Sequence, residues 1–261
     1  MTNSYASPSA LEGKACIVTG AAQGIGRGIA QALTERGAAV LLVDHNPDTL
    51  AATAAALSAD GRRAEPLLSD IRGPAEPDRI AATAVERFGR LDVLVNNAIA
   101  TRPAGPFTEH TDADYDLVFD TGPRATFRLM RAAFPHLAAS GAGSVINLGS
   151  SAGTEGQAGW ATYAAAKEAI RGFSKVAATE WGAAQVRVNV ICPFANSEGA
   201  QLWERFDPDG FNAALAKVPL GRIGDTRTDI GALVAFLAGD ESTYITGQTI
   251  MIDGGWGMHR I

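Results

Sequence analysis

The sequence predicts an α/β fold in one domain: a doubly wound parallel sheet of about seven strands with helices on both faces. Three observations predict it. Short β-branched runs alternate with longer amphipathic segments from residue 15 almost to the end. The strand runs are nearly continuous in apolar character, as expected of parallel strands covered on both faces. The length, 261 residues, suits one large α/β unit, since such units routinely reach roughly 250.

Taken in order, residues 1–10 read as a flexible tail, with neither the basic start nor the apolar stretch of a secretory signal, and residues 11–261 as the domain. A first strand at 15–19 runs into a glycine-rich turn and a helix at 26–36. A second strand at 39–43 precedes a helix at 49–59, where Leu50 and Leu57 keep helical spacing through an alanine run. A strand at 64–68 and a helix at 76–88 follow, then a strand at 91–95 and a long helix at 112–137. Pro123 and Pro135 are expected to kink or divide that helix. A strand at 144–148, a helix at 161–181 and a strand at 186–191 come next. The least regular stretch, rich in Gly and Pro, spans about 194–228 and is expected to cover a substrate. A helix at 229–238 and a strand at 249–252 close the fold.

Composition excludes several functions. Lys and Arg number 22 against 28 Asp and Glu, a net charge of −6, and no basic run offers a footprint for nucleic acid. Charged residues make up 19%, below the usual level of about 25%, while 46% are hydrophobic, which predicts a large core or a subunit interface. The longest apolar runs, such as 38–43, fall far short of the ~20 residues that cross a bilayer, so no membrane partner is expected. Cys16 and Cys192 lie inside apolar runs and read as buried reduced thiols of a soluble cytoplasmic protein. His45, His110, His136 and His259 are dispersed without ligand spacing, and no metal site is expected.

The turn after the first strand reads Thr19-Gly20-Ala21-Ala22-Gln23-Gly24-Ile25-Gly26. Its glycines permit a tight turn and close approach of a pyrophosphate to backbone N–H groups at a helix start, a Rossmann-type dinucleotide cradle. A bare turn is the plainer reading; strand before, helix after and Asp44 closing the second strand favour the nucleotide. A carboxylate at Asp44 can accept from ribose hydroxyls and repels a 2′-phosphate. Its neighbours His45 and Asn46 provide no cation for one, so NAD is expected over NADP.

Tyr163 and Lys167 are four apart on a predicted helix and share a face. An ammonium beside a phenol favours the phenolate, and a tyrosine so lowered exchanges protons near neutral pH. An ordinary helix surface is the alternative. Against it, Ser150 precedes Tyr163 by 13 residues at the carboxyl end of the fifth predicted strand, the side of a sheet where ligands bind.

With these motifs in order, together with Asp70-Ile71, Asn96-Asn97-Ala98, Thr246-Gly247-Gln248 and Asp253-Gly254-Gly255, the chain resembles the short-chain dehydrogenases/reductases from Gly13 to Gly255. The resemblance implies an oxidoreductase interconverting a secondary alcohol and a ketone. Tyr163 is implied as acid/base, Lys167 as the holder of the nicotinamide ribose that lowers the tyrosine, and Ser150 as the group that binds the substrate oxygen. Gly20, Gln23, Gly24, Ile25, Gly26, Asp44, Asp70, Ile71, Asn97, Ala98 and Pro193 are implied on the cofactor, with Asn96 bracing the sheet. It also implies a homotetramer paired through helices at 111–138 and 161–181, with Trp256 in a further contact.

Three departures stand out. Ile99 replaces the family's usual glycine after Asn-Asn-Ala and is expected as a local adjustment. Gly122 falls where an asparagine usually orders a water beside the lysine. Either backbone groups and the vacated space hold that water, the favoured reading, in which case Gly122→Asn should be roughly neutral, or turnover is reduced and Gly122→Asn should raise it. Phe194 replaces the glycine after Pro193; a wall of the substrate pocket and a core aromatic are equally open. The family's following threonine has no clear match, with Asn196 or Ser197 as candidates. Arg102, Glu155, Gln157, Trp160, Phe194 and Trp203, with Thr101 and Phe206, are candidate substrate contacts, suiting a moderately apolar alcohol or ketone. The rivals are a lyase or dehalogenase on the same scaffold, disfavoured by Lys167, Gly24 and Gly26, and a nucleotide-binding regulator, for which Gly122 is the encouragement.

Overall fold

A computed structural model describes residues 10–59 and 61–257; the tail expected at 1–10, save residue 10, and His259 lie outside them. Seven strands form one parallel sheet in the order β3-β2-β1-β4-β5-β6-β7. They are β1 (Ala15–Thr19), β2 (Ala39–Asp44), β3 (Ala64–Leu68), β4 (Val93–Asn96), β5 (Gly143–Leu148), β6 (Val186–Pro193) and β7 (Thr249–Ile252).

The continuous apolar runs have a simple cause. Side chains alternate across the sheet, and both faces are core. Cys16, Val18, Val40, Leu42, Val95 and Ile146 point into one cluster, whereas Ile17, Leu41, Leu94, Val145 and Val188 point into the other. Helices α1 (Gly24–Glu35), α2 (Pro47–Ser58) and α10 (Ala232–Ala238) cover the first face; α3 (Glu76–Phe88), α5 (Ala125–Ala139) and α7 (Ala161–Trp181) cover the second. Burying one such aliphatic side chain stabilises by about 1.5–3 kcal/mol, so the alternation fixes the register of every central strand. The chain moves outward from β1 to β3 and returns to β4 on the other side of β1, which opens a crevice above their carboxyl ends.

Element ends follow local chemistry. Helix α2 begins two residues before its expected start because Asn46 accepts from the N–H groups of Asp48 and Thr49 and Pro47 fits the first turn. The long helix expected at 112–137 divides once. Helix α4 (Asp112–Phe119), capped by Thr111 and Asp114, passes through a π turn at Asp120–Arg124 into α5. Pro123 lacks the N–H that an α turn needs, and the wider turn accommodates it. Pro135 does not divide α5: it sits on the exposed face, where a lost hydrogen bond costs least.

Likewise the helix expected from 229 begins as a π turn at Thr226–Gly231, pressed onto α1 at a point without side chains. A Cβ on Gly28 would stand 2.5 Å from the Thr226 backbone, and one on Gly231 2.5 Å from the Ala32 Cβ. The stretch at 194–228 is more regular than expected. It holds α8 (Glu198–Phe206), capped by Ser197, and α9 (Pro208–Leu215), capped by Asp207. A short α6 (Ser151–Thr154) follows β5. Among the described residues no helix is long and apolar enough to cross a membrane.

Candidate active site

The glycine turn closes the crevice between β1 and β4. Gly20 and Gly24 have φ of +65° and +55°, left-handed conformations that glycine adopts without steric cost. A Cβ on Gly26 would collide with the Gly20 carbonyl and approach Asn97 Nδ2 to 2.6 Å. Asn97 clasps the turn: its Nδ2 donates to the carbonyls of Thr19 (2.9 Å) and Gly20 (3.2 Å). The N–H groups of Asn97 and Ala98 donate to Thr19 Oγ1 at 3.0 and 3.1 Å. No side chain caps the N-terminus of α1, whose flanking residue Gln23 makes no capping bond, and Ile25 and Gly26 follow in its first turn. A glycine cradle opening on unclaimed N–H donors fits a dinucleotide pyrophosphate.

Asp44 ends β2 nearly buried, with three backbone donors: Ala22 N–H (3.0 Å) on one oxygen, His45 N–H (2.8 Å) and Asn46 N–H (3.1 Å) on the other. It therefore fastens the glycine turn as well as ending a strand, and the oxygen facing Ala22 retains a lone pair. Asp70 is half-exposed and gripped on both oxygens by Arg72, whose guanidinium holds the carboxyl down at about 2. Ile71 and Ala98 line a small apolar slot with Thr19 and Leu129. Pro193, partly buried, ends β6. Asn96 braces the sheet as expected, since its Nδ2 donates to Asn147 Oδ1 (2.8 Å) and Asn147 donates to Ser174 Oγ on α7 (2.8 Å).

Above β5 the structure brings Ser150, Tyr163 and Lys167 together. Ser150 Oγ accepts from Ala152 N–H at 3.1 Å, which starts α6, and its hydroxyl acts on the Tyr163 phenol in the lowering direction. Lys167 is buried, donates from Nζ to the Leu148 carbonyl at 2.8 Å, and lies 5.4 Å from the centre of the Tyr163 ring. Trp160 meets that ring edge-on, centroids 5.5 Å apart.

One expectation needs correction. Burial pushes the Tyr163 phenol up to about 12, against the lowering effect of Ser150, and pushes the Lys167 ammonium down to about 8. Desolvation dominates the shift, so Tyr163 is a neutral phenol at pH 7. Cys192, buried nearby, has its thiol pushed up to about 11 and stays protonated.

The space beside Gly122 is also not vacant. A Cβ there would lie 2.8 Å from Ile99 Cδ1 and 4.0 Å from the Ala166 Cβ. Ile99 fills the volume that a side chain at 122 would need, so the two departures from the family pattern are one exchange of volume.

The stretch at 194–228 holds a residue that the sequence reading missed. Ser197 Oγ accepts from Ala200 N–H to cap α8, and Asn196 Oδ1 accepts from Gln201, so each candidate for the missing threonine is engaged through an acceptor oxygen. Glu198 instead reaches the cradle, its Oε2 2.8 Å from where a Cβ on Gly24 would stand. Its signal was available, an acidic residue in the first turn of a Ser-capped helix, but not its target.

Of the substrate candidates, Trp160 lies against the Tyr163 ring. Arg102 does not: it donates to the Glu109 carbonyl (2.8 Å) and to Asp114 (3.2 Å), fastening its own loop. Phe194 is nearly buried, packs on Trp256 with centroids 4.6 Å apart, and also lines a cavity with Leu220, Arg222 and Ile252, so it is both packed and a wall. Trp203 packs on Phe211 and donates to Asp207 within the 194–228 stretch, and Phe206 is exposed. Glu155 and Thr101 are exposed at loop positions, and Gln157 is fixed through its backbone to Ala152. Among the described residues, no three His, Cys, Asp or Glu side chains cluster as metal ligands would.

A family profile described as enoyl-(acyl carrier protein) reductase matches residues 20–257. A 12α-hydroxysteroid dehydrogenase of Clostridium sp. is 39% identical over 254 residues, covering 95% of this chain and 98% of that protein. A 3-oxoacyl-[acyl-carrier-protein] reductase of Escherichia coli K12 is 36% identical over 246 residues, covering 94% and 98%. In three dimensions the chain superposes on a short-chain type dehydrogenase/reductase from Mycobacterium ulcerans with a TM-score of 0.90 at 28% identity, covering 96% of this chain and 92% of that one.

Proposed function

Because the chain belongs to the short-chain dehydrogenase/reductase family of nicotinamide-dependent oxidoreductases, we propose that it interconverts a secondary alcohol and a ketone with NAD, Tyr163 serving as acid/base. The observation that carries this is the cluster of half-buried Ser150 and Tyr163 with buried Lys167 at the carboxyl ends of the strands, beside a glycine turn that fits a dinucleotide. The turn at Gly20, Gln23, Gly24, Ile25 and Gly26 would hold the pyrophosphate. Asp44 would take the adenosine ribose, Asp70, Ile71 and Ala98 the adenine side, and Lys167 and Pro193 the nicotinamide side. When bound, the nicotinamide accepts or returns the hydride of the carbinol carbon.

The remaining chemistry belongs to side chains. Ser150 holds the substrate oxygen. In reduction, the Tyr163 hydroxyl donates its proton to that oxygen, a role that a neutral phenol fills directly. In oxidation the Tyr163 phenolate takes the proton from the alcohol and returns to the phenol, and the Lys167 ammonium, held by the Leu148 carbonyl, offsets the phenolate charge in either direction. Asp44 supports NAD, as neither of the residues that follow it, His45 and Asn46, is the Lys or Arg that would receive a 2′-phosphate. Trp160 and a lid exposing Leu202 and Phe206 support an apolar substrate. The relative named a 12α-hydroxysteroid dehydrogenase favours a ring alcohol among these. Exposed Phe127 and Val176 on α5 and α7 support a homotetramer, and two free buried thiols support a reducing, cytoplasmic setting.

One panel tests the reading: NADH absorbance with secondary alcohols, including ring alcohols, and either cofactor. NAD should support turnover better than NADP, and Tyr163→Phe should lower kcat by about 1,000-fold with cofactor affinity kept. An equal rate with NADP removes the cofactor choice, and full activity of the Phe variant removes the acid/base.

A further inference from the structure

We propose that His110 is a positioning residue for the substrate: its imidazole locks the two loops flanking the cleft mouth, 99–106 and 155–160, into one bridge. The inference rests on the alcohol–ketone reading for what the bridge does, but its geometry stands apart from that reading. The two loops follow β4 and α6 on the side of the sheet that carries Ser150 and Tyr163. They touch through one backbone bond, Gly105 N–H to the Gly159 carbonyl at 3.1 Å. Gly159 has φ +86°, and a Cβ on it would meet Ala104 at 3.3 Å, so the loops are in direct contact.

His110 spans this junction. Nε2 lies 3.3 Å from the Gly105 carbonyl and 3.3 Å from the Gly159 carbonyl, while Nδ1 lies 3.1 Å from Thr162 Oγ1. Two carbonyls cannot donate, so the proton belongs on Nε2, and Nδ1 accepts from the Thr162 hydroxyl. Thr162 is buried and immediately precedes Tyr163 in the first turn of α7, a helix start with no side-chain cap of its own. One ring thus joins both loops to the turn that carries the proton donor. Arg102 ties the first loop only to Glu109 and Asp114; His110 alone among these ties reaches the second loop and α7. Trp160, resting on the Tyr163 ring, lies between the clasped Gly159 and Thr162, so the clasp also fixes this wall of the cleft.

The test compares wild type with His110→Phe, which keeps ring size but makes none of the bonds, and His110→Gln, whose amide both donates and accepts. In the protein without ligands, amide hydrogen exchange of the Phe variant should quicken at 101–106 and 155–160 and stay unchanged at 20–26. KM for the alcohol should rise about tenfold with kcat falling less than about threefold and NAD affinity unchanged, the pattern of lost positioning rather than lost chemistry. His110→Gln should recover most of the KM. If His110→Phe does not fold, Thr162→Val, which removes the Nδ1 partner, gives the same readouts. Unchanged exchange in both loops, or an unchanged KM, overturns the proposal. A wild type silent toward every alcohol overturns the functional reading, and the exchange result then decides the clasp by itself.

Discussion

At Gly122 and Ile99 two side chains exchange volumes across the junction of β4 with the α4–α5 turn. Either substitution read alone looks like a defect, a missing amide at 122 or a bulky residue at 99; together they pack. The pair predicts a non-additive stability cycle. Gly122→Asn alone crowds Ile99 and should destabilise by about 1–3 kcal/mol, the range for overpacking a core. Ile99→Gly alone leaves a void and also destabilises. The double variant should recover at least about 1 kcal/mol relative to the sum, a coupling expected of residues in contact. Thermal denaturation of the four proteins measures it, and strict additivity would show that the two do not share a space. Neither partner was legible as half of a pair, since sequence spacing does not say which side chains fill one volume.

At the scale of elements, α8 brings Glu198 over the cradle at Gly24, where a pyrophosphate carries like charge. With α8 in this position, Glu198 and a pyrophosphate held as proposed would repel each other at short range. Glu198→Gln should therefore tighten NAD binding by roughly threefold to tenfold, with the gap from wild type narrowing as salt rises. Titration calorimetry at two ionic strengths reads this, and equal affinities would show that α8 swings clear at no electrostatic cost. The stretch holding α8 read as irregular because its Gly and Pro content masked two short helices. Their caps, Ser197 and Asp207 before Pro208, were visible local signals. By contrast, β1, β3, β7, α3 and α7 have the bounds that their apolar periodicity predicts.

For the whole molecule, apolar surface is left over once both cores are filled. Phe127 is 51% exposed and Val176 55%, on neighbouring helices of the same face, and β7 is an unpaired sheet edge. Leaving such faces to water is unfavourable. Light scattering should give the mass of four chains, and Phe127→Glu with Val176→Glu should lower it. A mass of one chain for the unaltered protein at high concentration would remove the tetramer.

What the sequence determined by itself is whatever depends on near neighbours in the chain. The strand and helix periods fixed the order of elements and hence the sheet. Glycine spacing marked the cradle, and a four-residue interval placed Tyr163 and Lys167 on one helix face. What only the tertiary structure decided depends on segments meeting from far apart: Ile99 on Gly122, Glu198 on Gly24, His110 on Gly159 and Thr162. The direction in which Tyr163 shifts belongs to the same class. Proximity to Lys167 argues for a lowered phenol, but the depth of burial reverses it, and burial is a property of everything packed around the group.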